Sequence, residues 1–430
     1  MRRRTSLRLL LVVLAVFMFA ATRSVGGRTV YVDDDGPADF ATIQVAINNV
    51  VDGDTVIVGK GRYFENISLE GKDIILRSID PNEPDVVAGT IIDGRESDAV
   101  VTFSGTESNT CVLSGFTITN GKARTGGGIY GNSTEATIEH NVIINNHAIG
   151  DPNLPGSFGS GGALSDCDGL IQCNIIVDNG GGYGGGLYCC DGTIERNIIS
   201  RNIAYWGGGM ADCSAVIRGN LFVGDRAVSG GALANCDRII EHCTVIGNRG
   251  GNGHGLLNCH GTIKNCIVWQ NGPDDAPQMN NCSIPSYSCV ERWPGGGECN
   301  INGDPQFACM GHWEKVQHDT WWSWEWIDPQ GDYHLKSQAG RWDPVNKNWV
   351  NDDVTSPCID AGDPASPIGL EPFPNGGRVN MGAYGGTDEA SKSYFGETLC
   401  ETIVAGDING DCTVDWVDFA FIALYWLEEN

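Results

Sequence analysis

A repeat of 23 residues constrains this sequence more than any other feature. Six cysteines follow one another at that step, and isoleucine, apolar and polar columns keep the same register. Ile138 belongs to the isoleucine column and Asn146 to an asparagine column. Each lies 33 residues, instead of 23, before the next member, Ile171 or Asn179, because an insertion separates them. The columns are Cys167, Cys190, Cys213, Cys236, Cys259 and Cys282; Ile171, Ile194, Ile217, Ile240 and Ile263; Leu164, Leu187, Met210, Leu233, Leu256 and Met279; Asn179, Asn202, Asp225, Asn248 and Asn271; and Asn174, Asn197, Asn220, Cys243, Cys266 and Cys289.

A period of roughly 20 to 50 residues is typical of solenoids. The leucine-rich horseshoe pattern is absent, and no helical period is visible. Each repeat instead holds three short β-prone segments, such as GGMADC, AVIRGN and LFVGD, separated by turn residues. The pattern therefore predicts an all-β fold, a parallel β-helix with one coil per repeat. Successive coils of such a fold stack about 4.8 Å apart.

The recurring GGGMADC-type motif then has a structural interpretation. Its glycines let the backbone bend into a strand, and the following Leu or Met points into the core. The cysteine at the far end acts as a small buried apolar residue, and stacked asparagines hydrogen-bond from coil to coil. Oxidation of neighbouring thiols stays open, since the ladder spacing falls within disulfide range. A metal site is disfavoured because the thiols form a row rather than a tetrahedron.

The sequence resembles the right-handed parallel β-helix proteins of the pectate-lyase-like superfamily over roughly residues 28–290. The repeat carries this resemblance, together with the segment TVYVDDDGPADFATIQVAINNVVDGDTVIVGKGRYFENISL at 29–69, which is similar to the entry segment of those proteins. The resemblance implies an amphipathic helix over Ile43 to Val50 that caps the solenoid. It also implies a polysaccharide ligand, although one fold hosts many functions.

The start of the chain and its charge indicate export. A basic stretch precedes an apolar run from Leu9 to Ala21, which predicts a signal peptide over residues 1–27. An uncleaved anchor is the alternative, but the run is short for a membrane span of about 20 residues. The formal net charge of −27 disfavours nucleic acid and anionic lipid as partners. We expect a secreted or cell-surface protein that has no membrane segment after cleavage.

Residues 291–395 leave the repeat register and are expected to form an irregular capping region. The stretch HWEKVQHDTWWSWEWIDPQGDYHL within it is rich in tryptophan. These side chains either stack on sugar rings or pack the C-terminal cap of the solenoid. The candidates for sugar contact are Trp321, Trp322 and Trp324.

The last segment, residues 396–430, predicts a calcium-binding loop followed by an apolar helix. Oxygen ligands occur at loop positions 1, 3, 5, 9 and 12, with a backbone carbonyl at position 7. An aspartate at position 12 resembles a single type I dockerin repeat, which implies bound Ca²⁺ and a cohesin-like or self-docking partner. Cys412 at position 6, where glycine is usual, and the lack of a second repeat depart from that pattern. The ligands are Asp407, Asn409, Asp411, Thr413, Asp415 and Asp418.

The repeats offer few candidates for chemistry. Tyr183, Tyr205 and Trp206 lie in glycine-rich turns and, with Phe158, are candidates for a carbohydrate-binding rim. The strand after the glycines presents a small, nearly uncharged outward column, which argues against a catalytic groove there. An outward ladder of alternating charges is interpreted as solvated pairs between coils, and an acidic turn edge as solvated carboxylates. The ladder is Glu139, Gln172, Glu195, Arg218, Glu241 and Lys264, and the edge includes Asp168, Asp191 and Asp237.

Two functions follow from these features. The first is a secreted carbohydrate-active β-helix that binds or cleaves a polysaccharide, as a lyase or glycoside hydrolase if it is an enzyme. The second is a non-catalytic surface protein in which the solenoid is a structural or adhesion rod. A cleft in which acidic and basic side chains converge would favour the first, and a smooth solenoid the second.

Overall fold

The computed structural model describes residues 27–151, 153–154, 156–273, 275, 277–318, 322–328, 331–395, 414, 416 and 419–420. Between residues 27 and 395 the described chain is all-β apart from two short helices, Ile43–Asn48 and Pro84–Gly89. Three long parallel sheets, here sheets I, II and III, run side by side and enclose one apolar core. The predicted parallel β-helix is therefore confirmed.

Each complete coil contributes one strand to each sheet, in the chain order I, II, III, and the first strand of sheet I and the last strand of sheet II belong to incomplete coils at the two ends. Sheet I consists of Thr29–Val32, Thr55–Val58, Ile75–Ser78, Val112–Ser114, Thr137–Glu139, Leu170–Gln172, Thr193–Glu195, Val216–Arg218, Ile239–Glu241 and Thr262–Lys264. Sheet II consists of Gly61–Tyr63, Thr90–Asp93, Thr117–Thr119, Val142–Ile144, Ile175–Val177, Ile198–Ser200, Leu221–Val223, Thr244–Ile246, Ile267–Trp269 and Cys289–Val290. Sheet III consists of Ile67–Ser68, Val101–Thr102, Ile129–Thr134, Leu164–Cys167, Leu187–Tyr188, Met210–Ala211, Leu233–Ala234, Leu256–Leu257 and Met279–Asn280.

Shorter strand pairs decorate the solenoid and its C-terminal end. Two parallel pairs lie at the corner between sheets II and III, and three antiparallel pairs belong to the region after residue 305, here the C-terminal lobe. The parallel pairs are Lys122–Ala123 with His147–Ala148, and Ile203–Trp206 with Arg226–Ser229. The antiparallel pairs are Phe307–Cys309 with Asp332–Leu335, His312–Gln317 with Trp322–Ile327, and Arg341–Asp343 with Asn348–Val350.

The 23-residue columns stack as the sequence predicts. Ile171, Ile194 and Ile217 are direct partners on neighbouring strands of sheet I, and all three are buried. In sheet III, Leu187 pairs with Met210 in the same way, and both side chains are buried. Each column thus forms a continuous apolar row through the core, because identical positions of successive coils face the same interior.

Residues with left-handed backbone make the corners of the coil. Arg196, His242 and Asn265 have φ between 52° and 55° at the corner between sheets I and II, and Gly219 has φ 61° there. Gly207, which opens the GGGMADC motif, has φ 62° and turns the chain into sheet III. Glycine and short polar side chains that hydrogen-bond locally tolerate this conformation best. At the end of sheet III the corner is accordingly held by Asp166, Asp212, Asn235 and Asn258, with φ between 53° and 55°.

Buried asparagines bind successive coils together at two corners. Asn197 accepts hydrogen bonds from the main-chain N–H and the side-chain amide of Asn174, at 2.9 and 3.0 Å. It donates to Asn220 Oδ1 at 3.0 Å and to the carbonyl of Ile171 at 2.9 Å. Farther along this column Cys243 replaces asparagine, and its thiol donates to the equivalent carbonyl. The predicted asparagine ladder is confirmed.

The cysteine column lies in the core at the end of sheet III. Cys167, Cys190 and Cys213 are fully buried, and the thiol of Cys213 donates to the carbonyl of Ala211 at 3.3 Å. The main-chain N–H of Cys190 in turn donates to Cys213 Sγ at 3.4 Å. All cysteines of the described residues are free thiols. The column therefore packs as small apolar side chains, as the sequence indicated.

Asp225 replaces asparagine in the second ladder and leaves it incomplete. Its Oδ1 accepts from the main-chain and side-chain nitrogens of Asn202, at 2.8 and 3.0 Å. Its Oδ2 is buried and has no partner among the described residues. At the next rung the corresponding atom is Asn248 Nδ2, which donates to Asn271 Oδ1 at 2.9 Å. Burial raises the pKa of Asp225 well above its ordinary value, which favours the neutral, protonated form of the side chain.

We expect Asp225→Asn to raise the free energy of unfolding by about 2 kcal/mol at neutral pH, because asparagine supplies the side-chain donor of the ladder without the proton that the carboxyl must take up on folding. The unfolded carboxyl ionises above about pH 4, while the folded one stays protonated to higher pH. The wild type therefore loses stability as the pH rises above that value. Urea unfolding of both proteins should show the largest gain near neutral pH and a smaller gain near pH 4; a gain independent of pH would contradict a neutral Asp225.

The helix Ile43–Asn48 caps the start of the solenoid. Ile43, Ala46 and Ile47 are buried against the core. Gln44 closes the free edge of sheet III, because its side-chain amide accepts from the N–H of Ser68 at 2.7 Å and donates to the carbonyl of Ser68 at 3.2 Å. Covering an edge strand in this way blocks pairing with another chain.

The C-terminal lobe covers the outer face of sheet II over the last coils. Leu221 and Ile267, on that face, are buried in a second apolar cluster with Phe307, Tyr333 and Met381. The same outward position in earlier coils is exposed: Ile175 is 41 % and Ile198 39 % exposed. The lobe therefore stands beside the exposed surface of the solenoid, and clefts form between the two.

Candidate functional site

A groove runs along the solenoid axis at the corner between sheets II and III. It consists of two open cavities of about 630 and 550 Å³ that share Ile203. The first is lined by Glu96, Lys122, His147, Ala148, Ile149, Asp178, Asn179, Gly180, Gly181, Arg201 and Ile203. The second is lined by Ile203, Ala204, Arg226, Ala227, Val228, Arg249, Gly250, Gly251, His254 and Ser323. We call this surface the basic groove.

One residue per coil forms the floor of the basic groove. His147, Gly180, Ile203, Arg226 and Arg249 are joined in that order by parallel β-bridges or strand pairs. Successive members therefore lie one coil apart, about 4.8 Å. The floor reaches across five coils and keeps the same chain direction in each. Such a surface presents a regularly spaced row of side chains to anything that lies along it.

Ion pairs hold most of the cations of the groove in place. Lys122 Nζ lies 3.0 Å from a carboxylate oxygen of Glu96, and Arg201 makes two bonds to Asp178 at 2.8 and 2.7 Å.

At the other end of the groove, Arg226 lies 3.4 Å from Glu325. Arg249 donates to the carbonyl of Trp324 at 3.2 Å, and no carboxylate of the described residues lies within ion-pair distance of it. The groove therefore presents fixed hydrogen-bond donors with a small excess of positive charge.

A tryptophan-rich hairpin, His312–Gln317 with Trp322–Ile327, forms one wall of the groove. Trp313 donates from its indole N–H to the carbonyl of Gln270 at 2.9 Å. Trp326 meets Trp313 edge to face, with ring centroids 5.5 Å apart. Trp322 and Trp324 are instead 55 % and 39 % exposed. Trp313 and Trp326 therefore pack the hairpin, as one of the two interpretations expects, and Trp322 and Trp324 face outward. Trp321 lies outside the described residues.

Glu325 anchors this hairpin to the solenoid. It accepts from Ser323 Oγ at 3.0 Å, lies 3.0 Å from His318 Nε2 and pairs with Arg226. Burial alone would raise the pKa of Glu325, but the Ser323 hydrogen bond and the charges of Arg226 and His318 bring it below the ordinary value. The side chain is therefore an ionised acceptor at neutral pH, and its position fixes the hairpin against the groove floor.

The aromatic residues singled out in the sequence gather beside the groove. Phe158 stacks on Tyr205, with ring centroids 5.3 Å apart, and meets Tyr183 edge to face at 6.1 Å. Phe158 and Tyr205 are each 49 % exposed. Trp206 is half-buried, and its indole N–H has no partner among the described residues. We call Phe158, Tyr183 and Tyr205 the aromatic cluster. It continues from the groove, since Tyr205 and Ile203 lie on one strand.

The charged ladder on sheet I forms pairs between coils as predicted. Gln172 donates to Glu139 at 2.7 Å, and Arg218 donates to Glu195 at 2.5 Å. The interpretation as a simply solvated face fails from Glu195 onward, because the C-terminal lobe approaches it there. The resulting cleft has a volume of about 420 Å³ and lies on a different side of the solenoid from the basic groove.

The remaining sequence candidates are structural in the described chain. The acidic edge caps backbone amides of the next coil: Asp168 accepts from the N–H of Asp191 at 3.1 Å, and Asp191 from that of Ser214 at 2.7 Å. On sheet III, Ala211 and Ala234 of the small outward column are fully buried, so no groove opens over that strand. The predicted calcium ligands from Asp407 to Asp418 lie outside the described residues.

Sequence analysis missed the floor of the basic groove. Its members have the same 23-residue step as the other columns from Gly180 to Arg249, so the signal was present. This column was overlooked because its members, glycine, isoleucine and arginine, share no chemical property that the sequence could reveal. The walls could not be found from the repeat at all, since Ser323 and Trp324 come from outside it.

A family model described as "Disaggregatase related" matches residues 185–362. The matched segment covers about two-fifths of the chain and holds both Arg226 and Arg249 of the groove, and the hairpin. No curated protein matches the sequence. No helix of the described part is long and apolar enough to cross a membrane. The chain is a parallel β-helix protein, and its residues 185–362 are similar to the disaggregatase-related family.

Proposed function

We propose that this protein binds a linear acidic polysaccharide along the basic groove. The observation that carries the proposal is the shape of that groove: two open cavities joined at Ile203 that follow the solenoid axis over several coils. A compact ligand needs one closed pocket, whereas an extended polymer fits an open channel with a repeating floor. The chain would contact such a polymer at regular intervals.

The aromatic side chains support a sugar polymer. Tyr205 and Phe158 present exposed, mutually stacked rings beside the groove. Aromatic rings offer a large apolar face at low conformational cost and pack against the C–H faces of sugars. Exposed rings grouped beside one groove are therefore a better match for a saccharide than for a peptide backbone.

The charges of the groove favour acidic sugars. The whole chain carries a formal charge of −27, yet Lys122, Arg201, Arg226 and Arg249 converge on this surface. An arginine fork matches the planar geometry of a carboxylate, and Arg249 has no carboxylate partner among the described residues. The carboxylates of the groove are each paired with a cation, which argues for binding rather than acid–base cleavage by those groups.

We further propose that the mature protein acts outside the cell or at its surface and that its tail binds Ca²⁺. The basic and apolar start of the chain supports export. Oxygen-bearing residues at calcium-loop spacing from Asp407 to Asp418 support a metal-dependent tail, which would join the protein to a cohesin-like partner or a second copy. A polysaccharide-binding solenoid fits such a setting.

We expect Tyr205→Ala to weaken binding of the acidic polysaccharide about tenfold, since loss of one stacking ring corresponds to roughly 1.4 kcal/mol. Affinity electrophoresis of the mature protein through gels containing acidic or neutral polysaccharides measures this directly. Tyr31→Ala is the matched control, because Tyr31 is also about half exposed but lies on the first coil in sheet I. Equal mobility of all three proteins in every gel would refute the proposed function.

A further inference from the structure

We infer that the cleft between sheet I and the C-terminal lobe is a second binding site, for a neutral saccharide. This cleft, of about 420 Å³, is here called the lobe cleft. Its volume lies within the range of small-ligand sites, which occur preferentially where two structural units meet. Nothing in the basic groove contributes to it. The inference is independent of the proposed function.

The solenoid side of the lobe cleft is a wall of alternating charges. Glu195, Arg218, Glu241 and Lys264 occupy the same outward position on four successive strands of sheet I. Arg218 bonds Glu195 at 2.5 Å, and Lys264 lies 3.7 Å from Glu241. Because each charge is held by its neighbour, the wall offers donors and acceptors in fixed positions.

The opposite wall comes from the C-terminal lobe and consists of small residues, two of which, Ser366 and Thr387, carry hydroxyl groups. It includes Ser366, Gly385, Gly386 and Thr387. The two walls are tied together at one end, where Lys264 Nζ lies 3.3 Å from Asp363 Oδ2 and 3.3 Å from Ser366 Oγ. The main-chain N–H of Asp363 also donates to Asn265 Oδ1 at 2.7 Å. These bonds hold the lobe cleft open at a fixed width.

The chemistry of these walls selects a neutral, hydroxyl-rich ligand. Arg218 and Lys264 are paired with Glu195 and Glu241, so a charged ligand that binds any of these groups has to displace an ion-pair partner. A sugar hydroxyl donates one hydrogen bond and accepts others at the same time, so it satisfies both kinds of group without disturbing an ion pair.

His242, which also lines the cleft, adds no charge. Burial, together with the positive charge of Lys264, lowers its pKa to about 4. Its Nε2 lies 2.9 Å from Asn265 Nδ2, an arrangement in which the neutral ring accepts the amide hydrogen. Arg196 also lines the cleft, so its three cations, Arg196, Arg218 and Lys264, stand against three carboxylates: Glu195, Glu241 and Asp363, which pairs with Lys264. The formal charges around the ligand therefore cancel at neutral pH.

The test is a titration of the mature protein with neutral sugars, followed by NMR or calorimetry. The panel holds glucose, galactose, mannose, xylose and their short neutral oligomers. We expect at least one to bind, and Glu241→Gln and Thr387→Val each to weaken it at least fivefold. Glu139→Gln is the matched control, because Glu139 occupies the same ladder but does not line the cleft. This variant should bind the neutral sugar as tightly as the wild type does.

The groove variant Tyr205→Ala should bind the neutral sugar normally. This result separates the lobe cleft from the basic groove, and failure of one proposal leaves the other standing. Far-ultraviolet circular dichroism confirms that each variant is folded. The inference is overturned if no neutral sugar of the panel binds, or if Glu139→Gln weakens binding as much as Glu241→Gln does.

Discussion

Replacing Asn197 with alanine is expected to lower the free energy of unfolding by about 4 kcal/mol, the largest loss we foresee for a single substitution. The side chain is buried and makes four hydrogen bonds, with Asn174, Asn220 and the carbonyl of Ile171. Alanine removes all four at once and takes hydrogen-bond partners away from buried groups on both neighbouring coils, Asn174 and Ile171 on one side and Asn220 on the other. The cost of unsatisfied buried groups exceeds the value of the bonds themselves.

Gln172→Ala is the control for that experiment. Gln172 lies on a neighbouring coil, but it points outward and bonds only Glu139 among the described residues. Its loss should cost less than about 1 kcal/mol, as for other half-exposed polar pairs. Urea unfolding followed by circular dichroism compares the two variants. Equal midpoints for Asn197→Ala and Gln172→Ala would contradict a stabilising role for the buried ladder.

Gly247→Ala is expected to cost about 3 kcal/mol and to detach the tryptophan hairpin from the solenoid. Gly247 has φ 68°, and a Cβ there would lie 2.3 to 2.6 Å from three ring atoms of Trp326. The ring is held by Trp313 and by the main-chain contacts of the hairpin, so it cannot simply move aside. Since the hairpin carries Trp324 and Glu325, the variant should also bind acidic polysaccharide more weakly.

Gly224→Ala separates the clash from the backbone strain. Gly224 has the same φ of 68°, but a Cβ there would meet Trp326 at 3.6 Å, an ordinary contact. Only the strain remains, and the expected cost is about 1 kcal/mol. Thermal unfolding and tryptophan fluorescence of both variants measure the difference. If Gly224→Ala and Gly247→Ala shift both signals equally, the hairpin does not depend on contact with Gly247.

The fold could be predicted because it is periodic. A parallel β-helix places residues 23 apart in the same environment, so the columns that begin at Ile171, Leu164 and Cys167 reveal their burial by repetition alone. The insertion between Asn146 and Asn179 shifts the register without breaking it, since both side chains remain hydrogen-bonded partners. A single strand of three residues does not show which of its side chains is buried, but the repetition of the same residue type in several coils does.

The candidate sites could be predicted only in part. Tyr183 and Tyr205 were identified because exposed aromatic residues in glycine-rich turns are conspicuous, and the structure brings them together through Phe158. Both clefts owe one wall to the C-terminal region, which has no repeat. Contacts such as Arg226 with Glu325 and Lys264 with Asp363 join residues about 100 positions apart, and local patterns carry no signal for them.

The most direct test of the groove is hydrogen exchange of the mature protein with and without an acidic polysaccharide that it binds. Our account predicts slower exchange at 180–181, 203–206, 226–229 and 249–251, the segments that line the groove, and no change on the opposite strands of sheet I. Binding that protects sheet I instead, or that leaves all four groove segments unchanged, would contradict the assignment of the basic groove as the polysaccharide site.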